Sequence, residues 1–415
     1  MMSLHDNSFF LGRLGFSAIV AGGLLALSVA ALKKFKDDSL SWKIVIISWA
    51  VVVGCVFSTS LIKNKERDFT RPISTLNYEG VRTTDLALRD GWAYVIFNGG
   101  LSVVDLRDPS APREVGRTEV PLWNLGQMTI SGSSVYALGQ LKSIPSDSIG
   151  VVVFDISTPE NPQYRGHTAI GSAREIRQRE GIFTQGENLY VGLIDLQHAK
   201  LLSFELGEDG MPRLQQDFKV EKVEETSTEH ENLIWDYEMR KYRLDIEVAG
   251  HHAFLATYSG LVVIDLSNPR QLAEVGRLEF EDLEVHSESR YVSIDGDRLY
   301  IQRFWPSEVA IMDIGNPRQP VEIGALYRGG PGSAIVDGYL YSYSHNWNIW
   351  ASEIQESGLT REVEEFSTGK EESDIFYNYS GNDYRNVSNL IVDDNHIYVL
   401  MRNHLVVYPD VKKAG

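Results

Sequence analysis

The sequence predicts an all-β fold in which a four-stranded antiparallel unit repeats seven times around a closed ring, preceded by two N-terminal transmembrane helices. Three observations predict it. An Asp, Pro and Gly recur at fixed spacing after apolar runs, a turn followed by an aromatic occurs seven times, and two long uncharged runs lie within the first 62 residues.

The uncharged runs come first in the chain. Leu14 to Leu32 and Ile44 to Ile62 are each close to the about 20 residues that cross a hydrocarbon core, so residues 1–66 are expected to form a membrane anchor with helices at about 14–32 and 44–62. Trp42 and Trp49 suit an interfacial end, and Gly22-Gly23 is tolerated within such a helix. Lys33, Lys34, Lys36 and Lys43 crowd the short connection, which places it in the cytoplasm and both flanks outside; Lys63, Lys65, Arg67 and Arg71 pull the other way. An alternative reading takes Val52-Val53-Gly54-Cys55 as a lipobox with Cys55 lipidated, although the apolar run continues past it to Ile62. Membrane lipid is the expected contact of this region under either reading.

The repeat follows. LSVVDLRDPSAPREVG (101–116), VVVFDISTPENPQYRG (151–166), LVVIDLSNPRQLAEVG (261–276) and VAIMDIGNPRQPVEIG (309–324) each place Pro four residues and Gly eleven residues after an Asp. β-branched apolar residues favour a buried strand, Asp accepts backbone N–H groups as the chain turns, and Pro fixes φ in the turn. Asp105, Asp155, Asp265 and Asp313 are therefore read as structural turn residues. Before these hairpins stands the second signature, a turn leading to Tyr94, Tyr136, Tyr190, Phe254, Tyr300, Tyr341 and Tyr398. Successive aromatics lie 42, 54, 64, 46, 41 and 57 residues apart, the spacing of four-stranded propeller blades joined by loops of variable length. Residues 67–415 are thus expected to form a seven-bladed β-propeller. After LVVYPD (405–410) no room is left for a fourth strand, so residues 73–78 are expected to pair with the last blade and close the ring.

These repeats resemble the LVIVD family, whose bacterial and archaeal members carry such hairpins in propeller-like arrays, often on exported or surface proteins. Weaker relatives at LLSFELG (201–207), NIWASEI (348–354) and LVVYPD extend the resemblance from about residue 80 to the end, without the Asp, Pro and Gly set. The resemblance implies architecture and a bacterial or archaeal cell-membrane setting more than an activity.

Composition narrows function. Residues 1–72 carry nine Lys and Arg against five Asp and Glu, out of 39 and 57 in the whole chain, which leaves 30 against 52 and a net charge near −22 for the rest. Such a surface repels phosphate backbones, so no nucleic acid is expected. With Cys55 the lone cysteine, neither a disulfide framework nor a cysteine zinc site is available. His251-His252 has no third ligand at suitable spacing, and Asp295-Gly296-Asp297 and Asp393-Asp394-Asn395 lack the full calcium-loop ligand set, so no metal is expected. No nucleophile elbow, phosphate loop or HExxH occurs, and no catalytic residue or cofactor is expected.

What remains are binding candidates. Residues 221–241 interrupt the repeat with an acidic cluster containing Trp235 and Tyr237, and residues 367–386 form a second insertion with Phe376, Tyr377, Tyr379 and Tyr384. Asp85, Arg174, Asp245 and His286 fall near the starts of innermost strands, where they can converge on the mouth of the axial channel. The expectation is a membrane-anchored, extracytoplasmic propeller acting as a non-enzymatic protein-interaction or cell-envelope scaffold. The alternative is a small-ligand binder or hydrolase-type enzyme at the channel mouth. A third reading takes Ala18, Gly22 and Ala26 as a helix-packing stripe that docks the chain onto a larger membrane complex.

Overall fold

The computed structural model describes residues 71–409, apart from 121–122, 142–147, 173–175, 196–197, 223–244, 258–259, 280–288, 304–307, 327–333, 344–348, 356–359, 367–386, 394 and 402. The chain divides into two units, Met1–Asp68 and Phe69–Gly415, and every described residue belongs to the second. Both expected membrane helices and Cys55 lie outside the described residues. Among the described residues no helix is long and apolar enough to cross a membrane.

The second unit is a seven-bladed β-propeller. Its first strand, β1 (Ser74–Asn77), belongs to the last blade. Blade 1 contains β2 (Thr83–Arg89), β3 (Trp92–Phe97), β4 (Gly100–Asp105) and β5 (Arg113–Glu119). Blade 2 contains β6 (Trp123–Ser131), β7 (Ser134–Leu141), β8 (Ser148–Asp155) and β9 (Gln163–Ser172). Blade 3 contains β10 (Ile176–Gln185), β11 (Asn188–Asp195), β12 (His198–Leu206) and β13 (Pro212–Lys222). Blade 4 contains β14 (Asp245–Ala249), β15 (His252–Ala256), β16 (Gly260–Asp265) and β17 (Ala273–Glu279). Blade 5 contains β18 (Ser289–Asp295), β19 (Arg298–Arg303), β20 (Glu308–Asp313) and β21 (Val321–Leu326). Blade 6 contains β22 (Ala334–Val336), β23 (Tyr339–Tyr343), β24 (Ile349–Ile354) and β25 (Thr360–Phe366). Blade 7 contains β26 (Val387–Val392), β27 (His396–Met401) and β28 (His404–Pro409), and β1 pairs antiparallel with β28, Ser74 opposite Val407 and Asn77 opposite His404. The first strands of consecutive blades touch one another around the ring, β26 meeting β2, so they are the innermost.

Strand alternation explains the core. Successive side chains point to opposite faces of a blade, so each blade feeds two seams. Ala93 and Val95 of β3 join the cluster shared with blade 7, whereas Tyr94 and Ile96 join the cluster shared with blade 2. Seven separate apolar clusters result, one at each seam, and every signature aromatic sits in the cluster it shares with the following blade. All seven are almost fully buried, between 0 and 3% exposed. Each contributes on the order of 1.5–3 kcal/mol through burial alone.

The repeated Asp residues form the turns between the third and fourth strands. Asp105, Asp155, Asp265 and Asp313 each accept the backbone N–H two residues on, at 3.1, 2.8, 2.8 and 2.9 Å. The Pro and Gly of the motif serve a different purpose, because they meet across a seam. A Cβ on Gly116 would lie 2.3 Å from the carbonyl oxygen of Pro159 in the next blade, and one on Gly276 would lie 2.2 Å from that of Pro317. Glycine is required there by the close approach of the neighbouring turn.

The two ends of the ring differ. At one end the first and second strands, and the third and fourth, are joined by short turns, such as Asp90-Gly91, where both residues have positive φ (51° and 77°) as a two-residue hairpin turn requires. At the other end lie the strand starts bearing Asp85 and Asp245 and the ends of the fourth strands, such as Lys222 and Phe366.

Candidate functional site

Arg174, Trp235, Tyr237 and His286 lie outside the described residues. Asp85 and Asp245 are described, and they play one role in two blades. Asp85 on β2 accepts the Leu86 N–H (2.9 Å) and the Asn389 side-chain amide (2.6 Å) on Oδ1, and the Met128 N–H of blade 2 (2.7 Å) on Oδ2. Asp245 on β14 accepts the Ile246 N–H (3.0 Å) on Oδ1 and the Val292 N–H of blade 5 (2.7 Å) on Oδ2. Each carboxylate thus ties its own strand to the innermost strand of the next blade.

The tie recurs with other residues. Gln127 Oε1 accepts the Gly181 N–H across the seam from blade 2 to blade 3 (2.5 Å), and Asn389 donates to the Leu86 carbonyl as well as to Asp85 (3.1 Å), joining blade 7 to blade 1. Asp85, Gln127, Asp245 and Asn389 all stand nine residues before a signature aromatic. Alignment of the chain on those aromatics places Gln127 and Asn389 level with Asp85 and Asp245, although neither is among the channel-mouth residues expected from the sequence. The local backbone cooperates: the pairing of β6, β10 and β18 with their second strands shifts register beside Met128, Gly181 and Val292, the residues whose N–H groups face the preceding blade.

The electrostatics follow from enclosure. Burial pushes the Asp85 carboxyl up to about 6, against the lowering effect of the Met128 and Leu86 amides and Asn389. Glu247, two residues after Asp245, is exposed, yet it stands on an innermost strand. The surrounding protein and the Asp245 charge push its carboxyl up to about 7. Asp85 and Asp245 sit on blades 1 and 4, each held by backbone amides, and Glu247, on the same strand as Asp245, keeps water contact. Among the described residues no group of three or more His, Cys, Asp or Glu is placed to hold a metal ion.

At the opposite end the turn residues pair among themselves. Asp105 meets Arg107 and Asp155 meets Arg165, both at 2.5 Å, and these ion pairs hold the two carboxyls down at about 2. Such exposed pairs fix side-chain directions and contribute little stability.

The LVIVD repeat is matched at residues 81–120, 242–279 and 288–326, so the chain carries this repeat in blades 1, 4 and 5. The hairpin at 151–166 shares the Asp, Pro and Gly spacing and falls outside the three matches. Among solved structures, a protein from Lactobacillus plantarum aligns over 81% of this chain and 93% of its own at 11% identity, with a TM-score of 0.54. Sqt1 from Saccharomyces cerevisiae aligns over 82% of this chain and 99% of its own at 9% identity, with a TM-score of 0.53. At these identities the likeness shows the fold alone. No curated protein matches the sequence.

Proposed function

We propose that this chain is a membrane-anchored β-propeller displayed on the extracytoplasmic side of a bacterial or archaeal cell membrane, where it serves as a non-enzymatic scaffold for a protein partner. The observation that carries the reading is the use of the polar residues at the inner strand starts. Asp85, Gln127, Asp245 and Asn389 hold blades together, and a scaffold needs that rigidity. The two uncharged runs before residue 66 supply the anchor, and the insertions 223–244 and 367–386, with their aromatic residues, supply sequence for contact. The test is capture of the full-length protein from gently solubilised native membranes, with mass spectrometry of partners and of the intact N-terminus. A stoichiometric partner that is lost when residues 223–244 are replaced by a short Gly-Ser linker supports the scaffold. Turnover of a substrate by the purified protein alone overturns it.

A small-ligand site at the channel mouth is the second reading, favoured by Glu247. Its raised carboxyl on an innermost strand suits a proton-donating contact to a ligand in the channel. Binding that Glu247→Gln abolishes, with the fold unchanged, would replace the first reading.

A further inference from the structure

Between blades 1 and 2, at the end of the ring made of short turns, a groove of about 400 Å³ opens, bordered by Arg89, Asp90, Trp92, Tyr94, Ser133 and Pro159. Tyr94 is 3% exposed and sits in the apolar cluster of this seam. Its hydroxyl has no hydrogen-bond partner among the described residues and opens onto the groove. The equivalent tyrosine of blade 2 is different: Tyr136 donates to the Gly210 carbonyl in the next blade's turn (3.0 Å). In blade 4 the position is Phe254, with no hydroxyl at all. The seam between blades 1 and 2 therefore carries a hydroxyl that packing does not require.

The walls of the groove are already fixed. Arg107 stacks on Trp92, 4.6 Å from the ring centroid, and is itself held by Asp105. Arg89 donates to the Gly132 carbonyl and pairs with Asp90 at 3.3 Å. Both guanidinium groups are thus balanced by carboxylates, and Glu160 adds negative charge near Tyr94 and Arg107. An anion meets no uncompensated cation here. The groove offers planar hydrogen-bonding groups, hydroxyls from Tyr94 and Ser133, and the apolar border of an indole, one face of which Arg107 covers. A neutral ligand with hydroxyls around its edge and an apolar C–H face satisfies all three.

We propose that this groove is a saccharide-binding site, in which Tyr94 and the Arg89 and Asp90 side chains bond ring hydroxyls beside the Trp92 indole. The site is shallow and open, so its affinity falls in the range of about millimolar Kd, typical of a ligand buried on one side. It stands apart from the scaffold reading, which rests on the other end of the ring.

The test is ligand-observed saturation-transfer NMR on the full-length protein in a zwitterionic detergent, since sugar-based detergents would compete. The probes are glucose, galactose, mannose, N-acetylglucosamine and its β-1,4-linked dimer. The expected result is transfer to the ring C–H protons of at least one probe, lost in Trp92→Ala and weakened about 3–10-fold in Tyr94→Phe, the loss of one hydrogen bond. Tyr136→Phe, which removes a hydroxyl from the neighbouring seam, leaves binding unchanged and controls for effects on the fold. Transfer to none of the probes, or transfer that survives both Trp92→Ala and Tyr94→Phe, overturns the proposal.

Discussion

The seam between blades 4 and 5 and the seam between blades 5 and 6 begin from the same motif, yet only the first is closed by it. At the first, Gly276 lies under the Pro317 carbonyl and Asp245 grips the Val292 N–H. At the second, blade 6 lacks the Asp and Pro set, nothing described lies within 4 Å of where a Cβ on Gly324 would be, and Ile323 is 54% exposed. The second seam is held instead by Ser293 donating to the Ile335 carbonyl (3.3 Å) and Asp295 accepting the Gly338 N–H (2.9 Å). The difference teaches that the motif is an interface device. Where two consecutive blades both carry it, as at Gly116 and Gly276, its Gly is explained by the Pro of the following blade.

The largest expected effect at the tight seam is that of Phe254→Ala, which empties the apolar cluster and lowers the unfolding free energy by about 3–5 kcal/mol in urea titrations. Gly276→Ala comes next. Its new methyl meets a backbone carbonyl that cannot move aside cheaply, at a cost of about 1–3 kcal/mol, whereas Gly324→Ala stays within about 0.5 kcal/mol. Equal losses at the two glycines would dissolve the comparison. Asp245→Ala leaves the Val292 N–H without its acceptor, costs about 1–3 kcal/mol, and speeds hydrogen exchange at that amide more than at Ile335.

The smallest effect is a pH dependence at the seam joining blades 7, 1 and 2. The Asp85 carboxyl holds its proton more tightly in the ring than in the unfolded chain, so the folded state takes up the extra proton between about pH 4 and 6. Its contribution to stability is full below that window and falls as pH rises through it. Asp85→Asn flattens this decline in thermal unfolding measured at pH 4.5 and 7.5, and an unchanged slope would show that the carboxyl is no more enclosed than in the unfolded chain.

The blade count was legible because alternation imposes a period of two on every strand and one aromatic on every seam, so Tyr94 to Tyr398 mark seven units without knowledge of the ring. Asp105 and its three counterparts were legible as turn residues because their partners are two residues away. The partnership of Gly276 with Pro317 was not, since the two are read as parts of separate hairpins and meet only when blades stack. The same distance hid the role of Asp85 and Asp245. Their residue type suggests chemistry, and what they bond are backbone amides 43 and 47 residues away, which any sequence supplies.

The pairing of β1 with β28 has a consequence for synthesis. A ribosome delivers Ser74 to Asn77 long before their partners Val407 to His404, and Thr83 donates to the Met401 carbonyl across a separation of 318 residues. Blade 7 therefore waits, incomplete, until the six other blades have emerged, and until then its strand edge is open to pairing with another chain. A high contact order of this kind slows the closing step of folding and makes it depend on β28 having left the ribosome.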